Sequence, residues 1–199
     1  MKLALIVGSE SDLKFVADKA VNEIITRMRG SGIDVEVSVI SAHRNADVLV
    51  AYCSGEANDE KAAPRAEPTG DGITSIYPKL AAADLFVCAA GMAAALPGSV
   101  AAATKFLKPV FAVPLPSSGF ESCMDAFLAE FRMPPGVPVA VVNGLYNALL
   151  TIWSVLSLRN ENQAGVSAGF KTFVEAKTKK PRLNLSDAEI ETLTAPKKP

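Results

Sequence analysis

The sequence is poor in the patterns that accompany metal or disulfide chemistry. Its three cysteines, Cys53, Cys88 and Cys123, fall at no metal-ligand spacing. An odd count in an apolar-rich chain suits a reducing cytosol better than a disulfide framework. Packing is the role expected of them, and the cytoplasm the expected location. Neither sign of charge dominates: with 20 basic and 21 acidic residues the formal net charge is −1. No overall field recruits nucleic acid or an anionic membrane, so a small-molecule ligand is the expected partner. Long hydrophobic runs are missing too. Leu3 to Val7 is too short for a signal-peptide core, and the most apolar later stretch, Leu80 to Val100, is interrupted by Asp84, Gly91 and Pro97. Neither export nor a membrane span is expected. There is no Walker motif, GxSxG nucleophile elbow, HExxH zinc signature or internal repeat. Histidine occurs once, as His43, which makes it the first candidate for proton transfer near neutral pH.

What remains is a chain of ordinary single-domain length, 49% hydrophobic, in which strand and helix periods alternate around enough apolar residues for a proper core. Leu3-Ala4-Leu5-Ile6-Val7 is a continuous apolar run ending in glycine, the pattern of a strand buried on both faces of a parallel sheet. Leu13, Val16, Ala17, Ala20, Val21, Ile24, Ile25 and Met28 then follow helical spacing up to a stop at Gly30 and Gly32. Ser9 or Ser11 is placed to cap that helix, and Ser9-x-x-Asp12 has the spacing of a capping box. Val35, Val37, Val39 and Ile40 form the second strand, and Ala46 to Tyr52 a helix that gives way near Gly55. Residues 56 to 72 read as a charged, Pro-, Gly- and Ala-rich excursion, before helical residues Ile73 to Ala82. Further strands are expected at Leu85 to Cys88, Val110 to Val113 and Val137 to Val142, with a helix at Phe120 to Phe131. This alternation calls for right-handed crossovers and an α/β three-layer sandwich on a doubly wound, five-stranded parallel sheet. Leu145 to Leu158 is apolar around more than one face and must be covered widely, by its own domain or by another subunit. Beyond Arg159 the chain is more polar, with helices expected near Phe170 to Lys177 and at Ser186 to Leu193.

The loops leaving the first two strands are polar, and open parallel sheets bind ligands at strand carboxyl ends. In Gly8-Ser9-Glu10-Ser11-Asp12, backbone N–H groups and hydroxyls ahead of a helix favour a phosphate. Ser9 and Ser11 are therefore candidate phosphate ligands, while Asp12 would repel a phosphate and suits ribose hydroxyls. Plain N-capping accounts for the same residues equally well. In Ser41-Ala42-His43-Arg44, a group titrating near neutrality adjoins a permanent cation able to grip a phosphate through two hydrogen bonds. The alternative there is a hydrogen-bonded loop histidine beside an arginine in a surface ion pair. Asp47 either caps the following helix or orients His43, with capping favoured. The third loop, Ala89 to Gly98, has no ionisable side chain. Its small residues let backbone N–H groups approach a ligand and leave a dry pocket, or else serve tight helix–sheet packing.

In order along the chain, Gly8-Ser9-x-Ser11-Asp12, Ser41-Ala42-His43-Arg44, Leu96-Pro97-Gly98, Met133-Pro134-x-Gly136-Val137-Pro138 and Asn147-Ala148-x-Leu150 form a set. It resembles the family of 5-aminoimidazole ribonucleotide (AIR) carboxylases and N5-carboxyaminoimidazole ribonucleotide (N5-CAIR) mutases of purine biosynthesis, over roughly residues 3 to 158. The resemblance implies a flavodoxin-like fold, a homo-octamer and an enzyme that forms 4-carboxy-AIR (CAIR). Its partners would be a ribonucleotide and carbon dioxide, with no metal or organic cofactor. Since the match ends near Leu158, the chain is expected to divide into a catalytic ribonucleotide-binding domain at 1–158 and a helical tail at 159–199, packing on the same or a neighbouring subunit. Carried over by motif, Ser9, Ser11, Asp12, Ser41 and Arg44 bind substrate, joined by Gly91 and Leu96 of the third loop, and His43 is the general acid/base.

Two departures bear on the subclass. The mutase branch usually carries Gly-Gly-Ala-Ala-His before Leu-Pro-Gly, whereas Met92 and Ala95 stand here at the second glycine and the histidine. The carboxylase branch also lacks that histidine and looks like Pro116-Ser117-Ser118 through Phe131-Arg132-Met133-Pro134. Its usual Arg-Ser-Asn, however, is replaced by Met92-Ala93-Ala94, and Arg44 and Pro97 look like the mutase branch. The subclass stays open. Ala95 also sustains a rival from another class, a catalytically inactive ribonucleotide-binding or scaffold homologue.

Overall fold

Leu3 to Val7 are wholly buried because the strand they form is covered on both faces. The computed structural model describes residues 1–54, 83–116, 120–158 and 164–177. Among these residues the strands are β1 (Lys2–Val7), β2 (Asp34–Val39), β3 (Leu85–Ala90), β4 (Val110–Pro114) and β5 (Val139–Val141). They form one sheet in the order β2-β1-β3-β4-β5, with each neighbouring pair parallel. The helices are α1 (Leu13–Val16), α2 (Lys19–Gly30), α3 (Ala46–Ser54), α4 (Leu96–Ala103), α5 (Phe120–Phe131), α6 (Leu145–Ser157) and α7 (Ala164–Lys177), with a 3₁₀ turn at Glu10–Asp12. Alternation along β1 sends Leu3, Leu5 and Val7 toward α2, α6 and α7, and Ala4 and Ile6 toward α3, α4 and α5. This is the three-layer sandwich expected of the alternating pattern, in the flavodoxin-like form that the resemblance implies. From β1 the chain winds outward to β2, then returns past β1 to β3 and continues the other way. The switch point therefore lies between β1 and β3, and a crevice opens at their carboxyl ends.

Several boundaries differ from the sequence reading, each for a local reason. The apolar period from Leu13 to Met28 is not one helix. It breaks after Val16, and Asp18 restarts it by accepting hydrogen bonds from Ala20 N at 2.9 Å and Val21 N at 3.2 Å. β3 runs two residues past Cys88, and α4 begins inside the expected loop, with Pro97 in its first turn where a missing N–H costs nothing. β5 is shorter than expected. Val137 N is bonded to Pro134 O in a turn that needs Gly136 at φ +91°, and Pro138 has no N–H to give to the ladder. The excursion at 56 to 72 and the helices at Ile73 to Ala82 and Ser186 to Leu193 lie outside the described residues.

α7 starts before Phe170 and covers the wide apolar surface of α6. Trp153, fully buried, meets the rings of Phe170 and Phe173 at 5.6 and 5.4 Å between centroids. The approach of α7 to α2 is close: a Cβ built on Gly169 would lie 2.7 Å from Ser31 Cβ.

Candidate active site

Three loops reach the crevice at the same level because the parallel ladders run past the strand ends. Gly8 N donates to Ala89 O at 3.1 Å, and Ile40 N donates to Val7 O at 3.0 Å. Between the loops lies a cavity of about 530 Å³ lined by Ser9, Ser11 and Asp12 from the first, Ser41, His43 and Arg44 from the second, and Gly91 and Leu96 from the third. All eight candidate residues of the sequence reading thus border one space, of a size ordinary for small-molecule sites. A second hollow of about 540 Å³ shares Ser9, Ser11, Ser41 and Arg44 and adds Glu10 and Asn45.

In the first loop, Ser9 is extended and forms no side-chain cap. Its hydroxyl instead donates to Asp12 Oδ2 at 2.8 Å and lies 2.8 Å from Ser11 Oγ. The capping bond expected of Ser9 or Ser11 is thus replaced by a cluster of two hydroxyls and one carboxylate at the cavity wall. In the second loop, Ser41 Oγ accepts from Arg44 N at 3.2 Å, and Ser41 O accepts from Asn45 N at 2.9 Å. That tight turn leaves His43 and the Arg44 side chain exposed, with no hydrogen-bond partner among the described residues. Asp47 sits in the first turn of α3, where its charge complements the helix dipole. It makes no bond to His43.

The third loop is strained. Ala94 N donates to Gly91 O at 3.1 Å, closing a turn whose second residue, Met92, has φ +55°; Ala94 itself has φ +43°. For residues with a Cβ, the left-handed region costs roughly 1–2 kcal/mol each. The Leu96-Pro97-Gly98 motif brings α4 against the segment after α5, since a Cβ on Gly98 would sit 3.3 Å from Met133 Sδ. Two motifs far apart in sequence thus meet in one packing contact.

Sequence reasoning missed two polar features behind the site. The Tyr52 hydroxyl bonds the Ser38 hydroxyl and donates to Glu36 Oε1 at 3.4 Å, while Glu36 Oε2 pairs with Lys2 Nζ at 2.7 Å. This ties α3, and with it the His43 loop, to β2 and β1. Burial raises the Tyr52 hydroxyl well above its ordinary range. The second feature is Glu130, on the core side of α5. It is 1% exposed, and neither carboxylate oxygen has a hydrogen-bond partner among the described residues. Burial pushes its carboxyl up from the ordinary 4.5 to about 8. The only sequence signal for it was the i, i+4 spacing from the buried Ala126. Nearby, burial holds the Cys88 thiol well above its usual range and that of Cys53 up to about 12. Both thiols are therefore unreactive packing groups.

Comparison with known proteins shows the family and the fold. The profile of a family described as AIR carboxylase matches residues 74–175. The N5-carboxyaminoimidazole ribonucleotide mutase of Methanocaldococcus jannaschii is 34% identical over 195 residues, covering 96% of this chain and 98% of that one. The protein of the same name from Saccharolobus solfataricus is 32% identical over 165 residues, covering 82% and 85%. Among solved structures, Treponema denticola PurE superposes with a TM-score of 0.61 at 23% identity, covering 88% of this chain and 91% of that chain, a likeness of fold.

Proposed function

The chain belongs to the family of AIR carboxylases and N5-CAIR mutases, and from that premise we propose that it forms CAIR by placing a carboxyl group on imidazole C4. The carboxyl comes from N5-CAIR in the mutase reaction, or from carbon dioxide and AIR in the carboxylase reaction. The names of the relatives compared above favour the mutase reaction, and Ala95 favours the other. The observation that carries the reading is the single cavity at the β1/β3 switch point bordered by all eight candidate residues.

In this reading the hydroxyls of Ser9 and Ser11 and the guanidinium of Arg44 hold the phosphate, whose remote binding energy orients the imidazole. Asp12 accepts from a ribose hydroxyl, and Ser41 holds the turn that presents His43 and Arg44. Gly91 and Leu96 face the base in a wall without charge. Protonation of the N5 nitrogen breaks its bond to the carboxyl carbon, giving AIR and carbon dioxide. The electron-rich C4 then attacks that carbon, and loss of the C4 proton restores the aromatic ring. One proton is given and one taken, so a single histidine, His43, serves as acid and then base. In the carboxylase reaction only the second half applies.

The oligomer implied by the family is supported by an apolar stripe on α5. Met124, Phe127 and Phe131 lie exposed at helical spacing, Phe131 is 68% exposed, and its ring stacks on that of Phe127 with centroids 5.5 Å apart. We assign this stripe to contact with a second copy within a homo-octamer, the tail from residue 159 to the coverage of α6, and the protein to the cytoplasm, where its buried thiols stay reduced. The test is to supply AIR with bicarbonate and, separately, N5-CAIR. CAIR from either supports an enzyme and identifies the branch; AIR bound without product from either substrate favours the inactive ribonucleotide binder.

A further inference from the structure

We propose that Met92 is the movable apolar cover of the cavity and retains carbon dioxide there during carboxyl transfer, an inference that rests on the ribonucleotide reading above. Met92 is the second residue of the turn closed by Ala94 N and Gly91 O, at φ +55°. That position favours glycine. Its side chain is 70% exposed, so core packing does not account for a methionine either. A residue that satisfies neither backbone preference nor packing, at the edge of a cavity, points to a function.

The chemistry of the loop says which one. From Gly91 to Ala95, Met92 has the only side chain longer than a methyl group, and all five residues line the cavity. Leu96, the next residue of the wall, is only 2% exposed and held in the core, so apolar closure at the open rim falls to Met92. Its unbranched thioether adapts to an irregular surface. When the N5–carboxyl bond breaks, its electron pair stays on the nitrogen, which takes the proton from His43. The carbon dioxide set free is neutral and apolar. It either meets the C4 electron pair, with the C4 proton passing to His43, or escapes and leaves AIR behind. A cover that folds over the base shifts this partition toward C4 and excludes water.

The experiment compares the wild type with Met92→Gly and Met92→Leu. With N5-CAIR, the AIR released per CAIR formed is measured against an enzyme-free control. With AIR, the half-saturating bicarbonate concentration is measured beside the AIR dissociation constant. Met92→Gly is expected to keep or raise the thermal midpoint and to leave AIR affinity near that of the wild type. It should raise the AIR-to-CAIR ratio, or the bicarbonate requirement, about tenfold, the scale of one lost apolar contact. Met92→Leu should stay close to the wild type. A Met92→Gly enzyme with unchanged partition and bicarbonate dependence overturns the inference while leaving the function standing. So does one that loses thermal stability and activity together, which would make Met92 structural. A wild type that forms no CAIR from either substrate overturns the function and this inference together.

Discussion

Glu130 should make the stability of this fold fall as pH rises through neutrality. The residue is 1% exposed, its carboxyl has no hydrogen-bond partner among the described residues, and burial lifts it from the ordinary 4.5 to about 8. The unfolded chain releases this proton near the ordinary value, while the folded chain keeps it until about 8. Between those values the folded state binds more protons, so stability decreases with pH. It is highest for this group below the lower value and levels off above the higher one. At ~1.4 kcal/mol per unit the full window amounts to a ceiling of roughly 5 kcal/mol, with about 3–4 kcal/mol falling between about pH 5 and pH 8.

Glu130→Gln keeps size and polarity and removes the titration. Urea denaturation of both proteins at matched concentration should give stabilities within ~1 kcal/mol of each other at about pH 5, where the native Glu130 is neutral. At about pH 8 the variant should be the more stable by most of the difference worked out above. Every other titrating group is common to the two chains, Cys53 and Cys88 included, so the difference isolates Glu130. Parallel stability curves across this range would refute the argument and mean that Glu130 is solvated or paired.

On the proposed mechanism His43→Asn removes the general acid/base and spares the phosphate grip, so it should lower turnover by ~100-fold or more while AIR affinity holds. Arg44→Ala should weaken binding by ~1.5–3 kcal/mol through loss of a charge-assisted contact; steady-state kinetics beside calorimetry separates the two, and normal turnover in His43→Asn would make the only histidine structural. Gly169→Ala places a methyl group 2.7 Å from Ser31 Cβ and should cost ~1–3 kcal/mol as an overpacked contact. Thermal melts should show the loss and its recovery in the double variant with Ser31→Gly. Phe131→Asp puts a charge into the α5 stripe and should yield smaller species by light scattering; an unchanged mass would remove that stripe from the assembly contact.

The parts legible in sequence were those set by burial on two faces or by loop chemistry at a strand end. Leu3 to Val7 read as a central strand because nothing polar interrupts them, and the Ser9, His43 and Gly91 loops converge because each follows a parallel strand. Other features depend on partners a linear reading does not see. The apolar period continues across Ala17, so the restart at Asp18 is visible only through its cap. Glu130 occupies a position that the helical period assigns to the core, against its residue type. Met92 carries its unusual backbone because it is the second residue of the turn that Ala94 N closes onto Gly91 O. The serines of the first loop had two equally good uses, and the absence of a side-chain cap at Ser9, whose hydroxyl goes to Asp12, was not visible in the spacing.

The pairing of β1 with β3 has a kinetic consequence. Leu3 must find Leu85, so the apolar wall of the cavity joins the polar loops only after a closure spanning most of the first half of the chain. Such non-local parallel pairing is a slow step in folding, and a partly folded species that has joined only β1 and β2 lacks the third wall of the cavity. The entropic cost of this closure grows only logarithmically with length, by about 0.6 kcal/mol per doubling. What the closure fixes is register: Leu3 opposite Leu85 and Val7 opposite Ala89 set the level at which the third loop meets the first.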